Sequence, residues 1–195
     1  MSATRRRPNH AFTLLEVLIV VAILGVLAGI IVPSSNPDTY ARLEAMAGIL
    51  GRNIEYARNL AVTNSDNYKI TFDVPGNQWI LTHCGSNAAL DDLPITPFHL
   101  ASDPPDQQIV LLDEMSHVAE TVRLHAIWEL TTPPETVDAI EFHSLGETMR
   151  TVPTLIWLAS GTGTSTRYIS VRVSPITGVY WIEGYRATEP TTATY

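Results

Sequence analysis

From Val17 to Val32 the chain reads VLIVVAILGVLAGIIV, sixteen residues without a polar side chain. Carried back to Phe12 the run is 21 residues long, interrupted only by Thr13 and Glu16. As a helix it reaches roughly 30 Å, one hydrocarbon thickness. Arg5, Arg6 and Arg7 stand just before it. Basic residues stay on the cytoplasmic side, so the remainder of the chain is directed across the membrane. A secretory signal needs a short apolar region and a small-x-small cleavage site. Here the run ends in Ile31-Val32-Pro33 without one. A plain anchor leaves Glu16 unexplained, because a carboxylate inside a membrane segment is costly and calls for a partner.

The rest of the composition narrows the function classes. Twelve basic against twenty acidic residues give a net charge of −8, the wrong sign for binding nucleic acid through phosphates. At 45% hydrophobic residues in 195, the chain is too apolar for an acidic disordered tail and long enough for one domain with a real core. Cys84 is the one cysteine, so neither an intramolecular disulfide nor a thiolate zinc cluster can form.

Glu16 gains a reason when Ala11-Phe12-Thr13-Leu14-Leu15-Glu16 is read as a unit. It resembles the class III signal of type IV pilins and type II secretion pseudopilins, in which a short basic leader is cut before a Phe. The resemblance implies a leader of residues 1–11, cleavage between Ala11 and Phe12, and N-methylation of the new Phe12 amine. The residue before the cut is usually Gly in that family and is Ala11 here. Glu16 becomes the fifth residue of the mature chain, and Pro33 sits where such chains commonly carry a proline. The physical logic is direct. A free α-amine is largely cationic near neutral pH. In a helix bundle the Glu16 carboxylate of one subunit can neutralise that amine on a neighbour, and the pairing sets the axial register. Gly25 and Gly29 have the small-xxx-small spacing of close helix approach, though such glycines are equally ordinary in membrane helices.

Beyond Pro33 the sequence Ser34-Ser35-Asn36-Pro37 breaks the helix, and Asp38 is a fair N-cap for a second one. Over residues 38–63, Tyr40, Leu43, Ala47, Leu50, Ile54, Ala57 and Ala61 recur at threes and fours, with Met46 widening the stripe, while Arg42, Glu44, Arg52, Glu55 and Arg58 avoid it. That is an amphipathic helix whose stripe needs a cover. Strands are expected at 68–74, 78–83, 109–112, 121–128, 138–143, 154–159, 167–173 and 179–183, the first two as a hairpin. The proline-rich stretch 84–108 reads as an excursion over the sheet, and the Thr-rich tail 187–195 as frayed. Helix first and antiparallel strands afterwards give an α+β fold: a long N-terminal helix, half membrane and half amphipathic, packed on one or more antiparallel sheets. The division is a leader 1–11, a transmembrane helix 12–33 and a periplasmic domain 34–195.

Further on, Glu55, Ala57-Arg58 and Ala61, then Ile140-Glu141-Phe142 with Gly146, Ile169-Ser170-Val171 and Thr177-Gly178-Val179, resemble the H-type minor pseudopilins (the GspH/FimT family). The Asp-Pro-Trp-Gly segment usual in the major pseudopilin is missing, and a lone cysteine excludes the C-terminal disulfide loop of a major pilin. The resemblance implies a pilin-like fold and a structural role in a type II secretion pseudopilus. It implies prepilin peptidase, other major and minor pseudopilins, the inner-membrane assembly platform and membrane lipid as partners, and no nucleic acid. The expected location is the inner membrane, single-pass with a cytoplasmic N-terminus, then the pseudopilus. A minor type IV pilin is the alternative, and a membrane-anchored periplasmic enzyme the third reading. The sequence carries no nucleophile elbow, metalloprotease helix or phosphate loop, so no enzyme, cofactor or metal is expected. His10, His83, His99, His117, His125 and His143 lack metal-ligand spacing, and His125 and His143 fall at outward, solvated strand positions. Asp91, Asp92, Asp103 and Asp106 lack the spacing of a calcium loop. Cys84 reads as a free thiol.

Overall fold

The computed structural model describes residues 14–31 (side chains as far as Leu24), 39–96, 102–115 and 122–192. The chain falls into two units, Met1–Asn36 and Pro37–Tyr195. The first contains α1, Leu14–Ile31. The second begins with α2, Thr39–Asn64, and continues as β1 Tyr68–Asp73, β2 Gln78–His83, β3 Gln107–Leu111, β4 Val122–Glu129, β5 Glu135–Thr136, β6 Ala139–Phe142, β7 Thr154–Ser160, β8 Arg167–Val173 and β9 Tyr180–Ile182. The architecture is α+β, with every strand pair antiparallel. The short β5 has no counterpart among the expected strands, because two residues after a double proline carry no period. Ala11, Phe12, Pro33 and Asp38 lie outside the described residues.

The strands form two sheets, ordered β3-β2-β1-β6 and β5-β4-β7-β8-β9. α2 lies against both, touching β1 and β6 of the first and β4, β7, β8 and β9 of the second. Its stripe of Leu43, Met46, Ala47, Leu50, Ile54, Ala57 and Ala61 is fully buried, and the inward residues of both sheets complete one core around it. Tyr40 departs from the expected stripe: it is 40% exposed, its ring packed edge-on against Tyr185 at the start of the helix. Gly51 is buried because Tyr180 occupies the space a Cβ would need. The helix ends where expected. Ser65 takes a left-handed φ of 53° and the Asp66 amide returns to the Ala61 carbonyl at 3.2 Å, a Schellman closure that satisfies an orphan acceptor.

β7 is buried on both faces along its whole length. Ile156 and Leu158 join the main core, while Leu155, Trp157 and Ala159 form a second cluster with Trp128 and Tyr168 on the outer face. An apolar outer face needs a cover, and the tail supplies part of it. Arg186 lies over the Trp157 ring, Glu189 approaches His125 at 3.6 Å, and Pro190 is buried. The frayed tail expected from Ala187 is therefore corrected for residues 187–192.

Candidate functional site

α1 is built from the residues that made the sequence unusual. Its described large apolar side chains are between 48% exposed at Ile19 and 84% at Leu14, and they surround the helix rather than forming a stripe. An apolar helix without a polar face needs lipid or other apolar helices around it. Among the described residues no helix is long and apolar enough to cross a membrane; the described side chains of α1 end at Leu24, whereas the apolar run continues in sequence to Val32. Glu16 is the one charged residue of α1 and stands in its first turn, where the positive end of the helix dipole favours a carboxylate.

In the second unit, Arg58, Gly146 and the Thr177-Gly178 turn meet at one point. Arg58, from the last part of α2, donates from Nε to the Thr177 carbonyl at 2.6 Å. Gly146 has a φ of +85°, and a Cβ there would meet Arg58 Nε at 2.9 Å. Gly178 has a φ of +63°, and a Cβ there would run into the Gly146 carbonyl. The helix end, the turn after β6 and the turn before β9 are thus locked together, with glycine required twice by conformation and space. This is a structural lock and holds no reactive group.

The remaining polar residues are also engaged structurally. His83, with a side chain only 1% exposed, lies between Asp66 (Nε2 to Oδ2, 3.2 Å) and Asp91 (Nδ1 to Oδ1, 2.8 Å). Asp66 accepts the amides of Asn67, Asn87 and Ser86, which hold its carboxyl below the usual range, with His83 adding to the effect. The excursion after β2 is fastened there and again by a buried polar relay, Thr96 to Gln108 to Asn53 to the Ile49 carbonyl. His125 corrects the expectation of a solvated ring. Its side chain is 19% exposed, packed against Tyr168, and burial lowers its pKa. His143 is half-buried between Glu141 and Glu147. Asp103 accepts from the Ile109 amide. Burial, followed by the charge of Glu141, pushes the Cys84 thiol up to about 11, so little thiolate forms at neutral pH. Among the described residues no group of His, Cys, Asp and Glu is placed to hold a metal ion. His10, His99 and His117 lie outside the described residues.

Sequence reasoning missed the exposed margin at β9, where Val179, Trp181 and Ile182 all reach solvent. Its signal was present: Val-Tyr-Trp-Ile offers no polar alternate.

Comparison with known families matches residues 6–32 to the prokaryotic N-terminal methylation motif. No curated protein matches the chain by sequence. Solved structures similar to it include the type IV minor pilin FimU of Pseudomonas aeruginosa (16% identity, 73% of this chain and 93% of that one, TM-score 0.43). Another is the minor pseudopilin EpsH from the Type 2 Secretion System of Vibrio cholerae (13% identity, 73% and 96%, TM-score 0.46). Over residues 6–32 the chain carries the prokaryotic N-terminal methylation motif.

Proposed function

We propose that this chain is a minor pseudopilin, a structural subunit of a type II secretion pseudopilus that helps export folded proteins across the outer membrane. The observation that carries the reading is the methylation motif at residues 6–32, with Glu16 fifth from Phe12 and an apolar helix around which the described side chains find no cover. The lock of Arg58, Gly146 and Gly178 gives the H-type motifs a structural reason and supports that assignment within the family. In this reading prepilin peptidase cuts between Ala11 and Phe12 and methylates the new amine. α1 then resides in the inner membrane until the assembly platform moves it into the fibre beside other major and minor pseudopilins. Glu16 pairs there with a neighbour's Phe12 amine, and Pro33 marks the joint between the assembly helix and the periplasmic domain. The subunit works by binding and positioning, without catalysis or a cofactor.

Intact mass and N-terminal sequencing of membrane-extracted protein test the reading. The expected chain begins at a methylated Phe12, and losing Arg5, Arg6 and Arg7 leaves nine basic against twenty acidic residues. A chain beginning at Met1, or after Val32, overturns it. Secretion ATPase and secretin genes beside this one separate the pseudopilin from a minor type IV pilin, which has retraction or competence genes as neighbours.

A further inference from the structure

The two ends of the second unit expose different chemistry. Arg58 lies roughly 28 Å along α2 from Thr39, and the turns locked to it carry Leu145 and Ile176, both exposed. At the end where α2 begins, Tyr40 meets Tyr185 edge-on, with ring centroids 4.7 Å apart. The Tyr185 hydroxyl lies 3.2 Å from the Tyr40 carbonyl and 3.1 Å from Glu44 Oε2. Arg167 Nε donates to the Tyr40 hydroxyl at 3.1 Å. The two rings nevertheless stay 40% and 41% exposed.

Arg167 also brings the β7–β8 turn to this end. Thr162, Gly163, Thr164 and Ser165 of that turn are exposed, and two arginines reach it from neighbouring strands. Arg123 of β4 donates to the Gly161 carbonyl at 3.1 Å, and Arg167 of β8 to the Thr164 and Thr166 carbonyls at 3.2 and 2.9 Å. These partners are neutral. Arg150 and Arg172 are ion-paired with Glu129 and Glu183. Among the described residues neither Arg123 nor Arg167 has a carboxylate within 4.0 Å. The acids that approach this end face other groups: Glu44 faces Tyr185, Glu189 faces His125, and Asp113 accepts from Asn77.

Chemistry and tether together indicate the occupant. Guanidiniums without a carboxylate, beside a turn of glycines and hydroxyls, suit a phosphate. Half-exposed tyrosines suit the headgroup layer of a bilayer, where one end of the ring is apolar and the other wet. Residues 32–38 join Ile31 to Thr39, a tether of at most roughly 30 Å, and it enters the second unit at this end. We propose that this face rests on the membrane holding α1, with Arg123 and Arg167 taking phosphates of anionic phospholipid headgroups and Tyr40 and Tyr185 entering the headgroup layer. The proposal rests on the membrane-anchored reading of α1 and adds to it a docked state of the subunit before assembly. Entry into a fibre then exchanges headgroups for other subunits at the same face.

The full chain in vesicles tests this, with Cys84→Ser as background and a fluorophore on Thr162→Cys or on Leu145→Cys, both exposed positions. The vesicles are phosphatidylcholine with a spin-labelled headgroup quencher, with and without phosphatidylglycerol. Quenching at 162 is expected to exceed that at 145 when phosphatidylglycerol is present, and to fall with added salt. Arg123→Gln is expected to lower the docking constant roughly fivefold, the worth of one cation at an anionic surface. Salt and lipid composition read the same contact without that substitution. Equal quenching at 162 and 145, or quenching at 162 indifferent to phosphatidylglycerol and salt, overturns the proposal. Shielding of 162 that follows protein density instead of lipid composition assigns the face to a second copy and overturns it too. Flotation of the same vesicles reads insertion of α1. A chain that floats without a difference between 162 and 145 overturns the docking face alone; a chain that stays behind overturns the membrane anchor as well.

Discussion

α1 and α2 are both regular helices rich in apolar residues, and they solve the problem of burial in opposite ways. The described large apolar side chains of α1 stand around its circumference, at least 48% exposed. The stripe of α2 is confined to one face and has no exposed surface. Two sheets of its own chain cover α2; in the proposed function lipid or other helices cover α1. Under the proposed function the difference separates stability from assembly: changes in α2 should be felt as folding free energy of residues 37–195, and changes in α1 as loss of association.

Glu16→Ala is the sharpest way to test that separation. It makes α1 more apolar, so insertion is retained, and melting of the second unit should be unchanged within about 0.5 kcal/mol. Incorporation into fibres, followed by cross-linking to other pseudopilins, should be lost, because a neighbour's Phe12 amine no longer has a counter-charge in low dielectric. Undiminished incorporation would remove the carboxylate as a register device.

Leu50→Ala should do the reverse. Leu50 is fully buried in the core, and a Leu→Ala cavity costs about 2–5 kcal/mol. For a unit of this size the melting point falls by roughly 2–4 °C for each kcal/mol. Membrane insertion and processing of the N-terminal segment should be untouched. Equal loss of insertion and of melting temperature would show that the two helices are not independent.

How much of this was legible in sequence follows from the same contrast. α2 and the β1–β2 hairpin were readable because each has one buried face, so periodicity of 3.6 or 2 appears directly in Leu43-Ala47-Leu50-Ile54 and in Tyr68-Ile70-Phe72. The role proposed for Glu16 in α1 rests on sequence alone, on a lone carboxylate in an apolar run. The partition into two sheets was not readable, since strand order depends on pairing between residues far apart. β5 was too short to show a period. The burial of His83 and His125 was missed because a histidine's surroundings come from distant carboxylates and rings: Asp66 and Asp91 for the one, Tyr168 and Glu189 for the other. The cover over Trp157 escaped notice because threonines and prolines look disordered whether or not an apolar face lies beneath them.

His125 gives the comparison a pH dependence confined to the second unit. Burial is the largest influence on it and lowers its pKa, against Glu189 and the Pro190 backbone, which favour the charged ring, and with Arg123, which disfavours it. A histidine depressed in the folded state binds protons more readily when unfolded. Its contribution is therefore complete above the ordinary histidine range, near pH 6.5, and is lost as pH falls through that value toward the depressed one. Melting temperature should decline over that window, and amide exchange in residues 187–192 should speed up with it. His125→Gln should reduce the slope. An unchanged slope would assign the effect to other histidines.

The smallest expected change is Ser65→Gly, and it has the opposite sign. Ser65 holds a φ of 53°, the left-handed conformation that closes α2 by turning the Asp66 amide back to the Ala61 carbonyl. For a residue with a Cβ that conformation costs roughly 1–2 kcal/mol. Glycine removes the cost but loses roughly 0.5–1 kcal/mol through greater freedom of the unfolded chain. The balance lies between about zero and a gain of about 1.5 kcal/mol, read as a small rise in melting temperature. Because the gain comes from closing a helix that its own sheets already cover, it should leave incorporation into fibres where it was. A rise in stability accompanied by altered incorporation would mean that the end of α2, beside the Arg58 lock, is itself in contact with a neighbouring subunit.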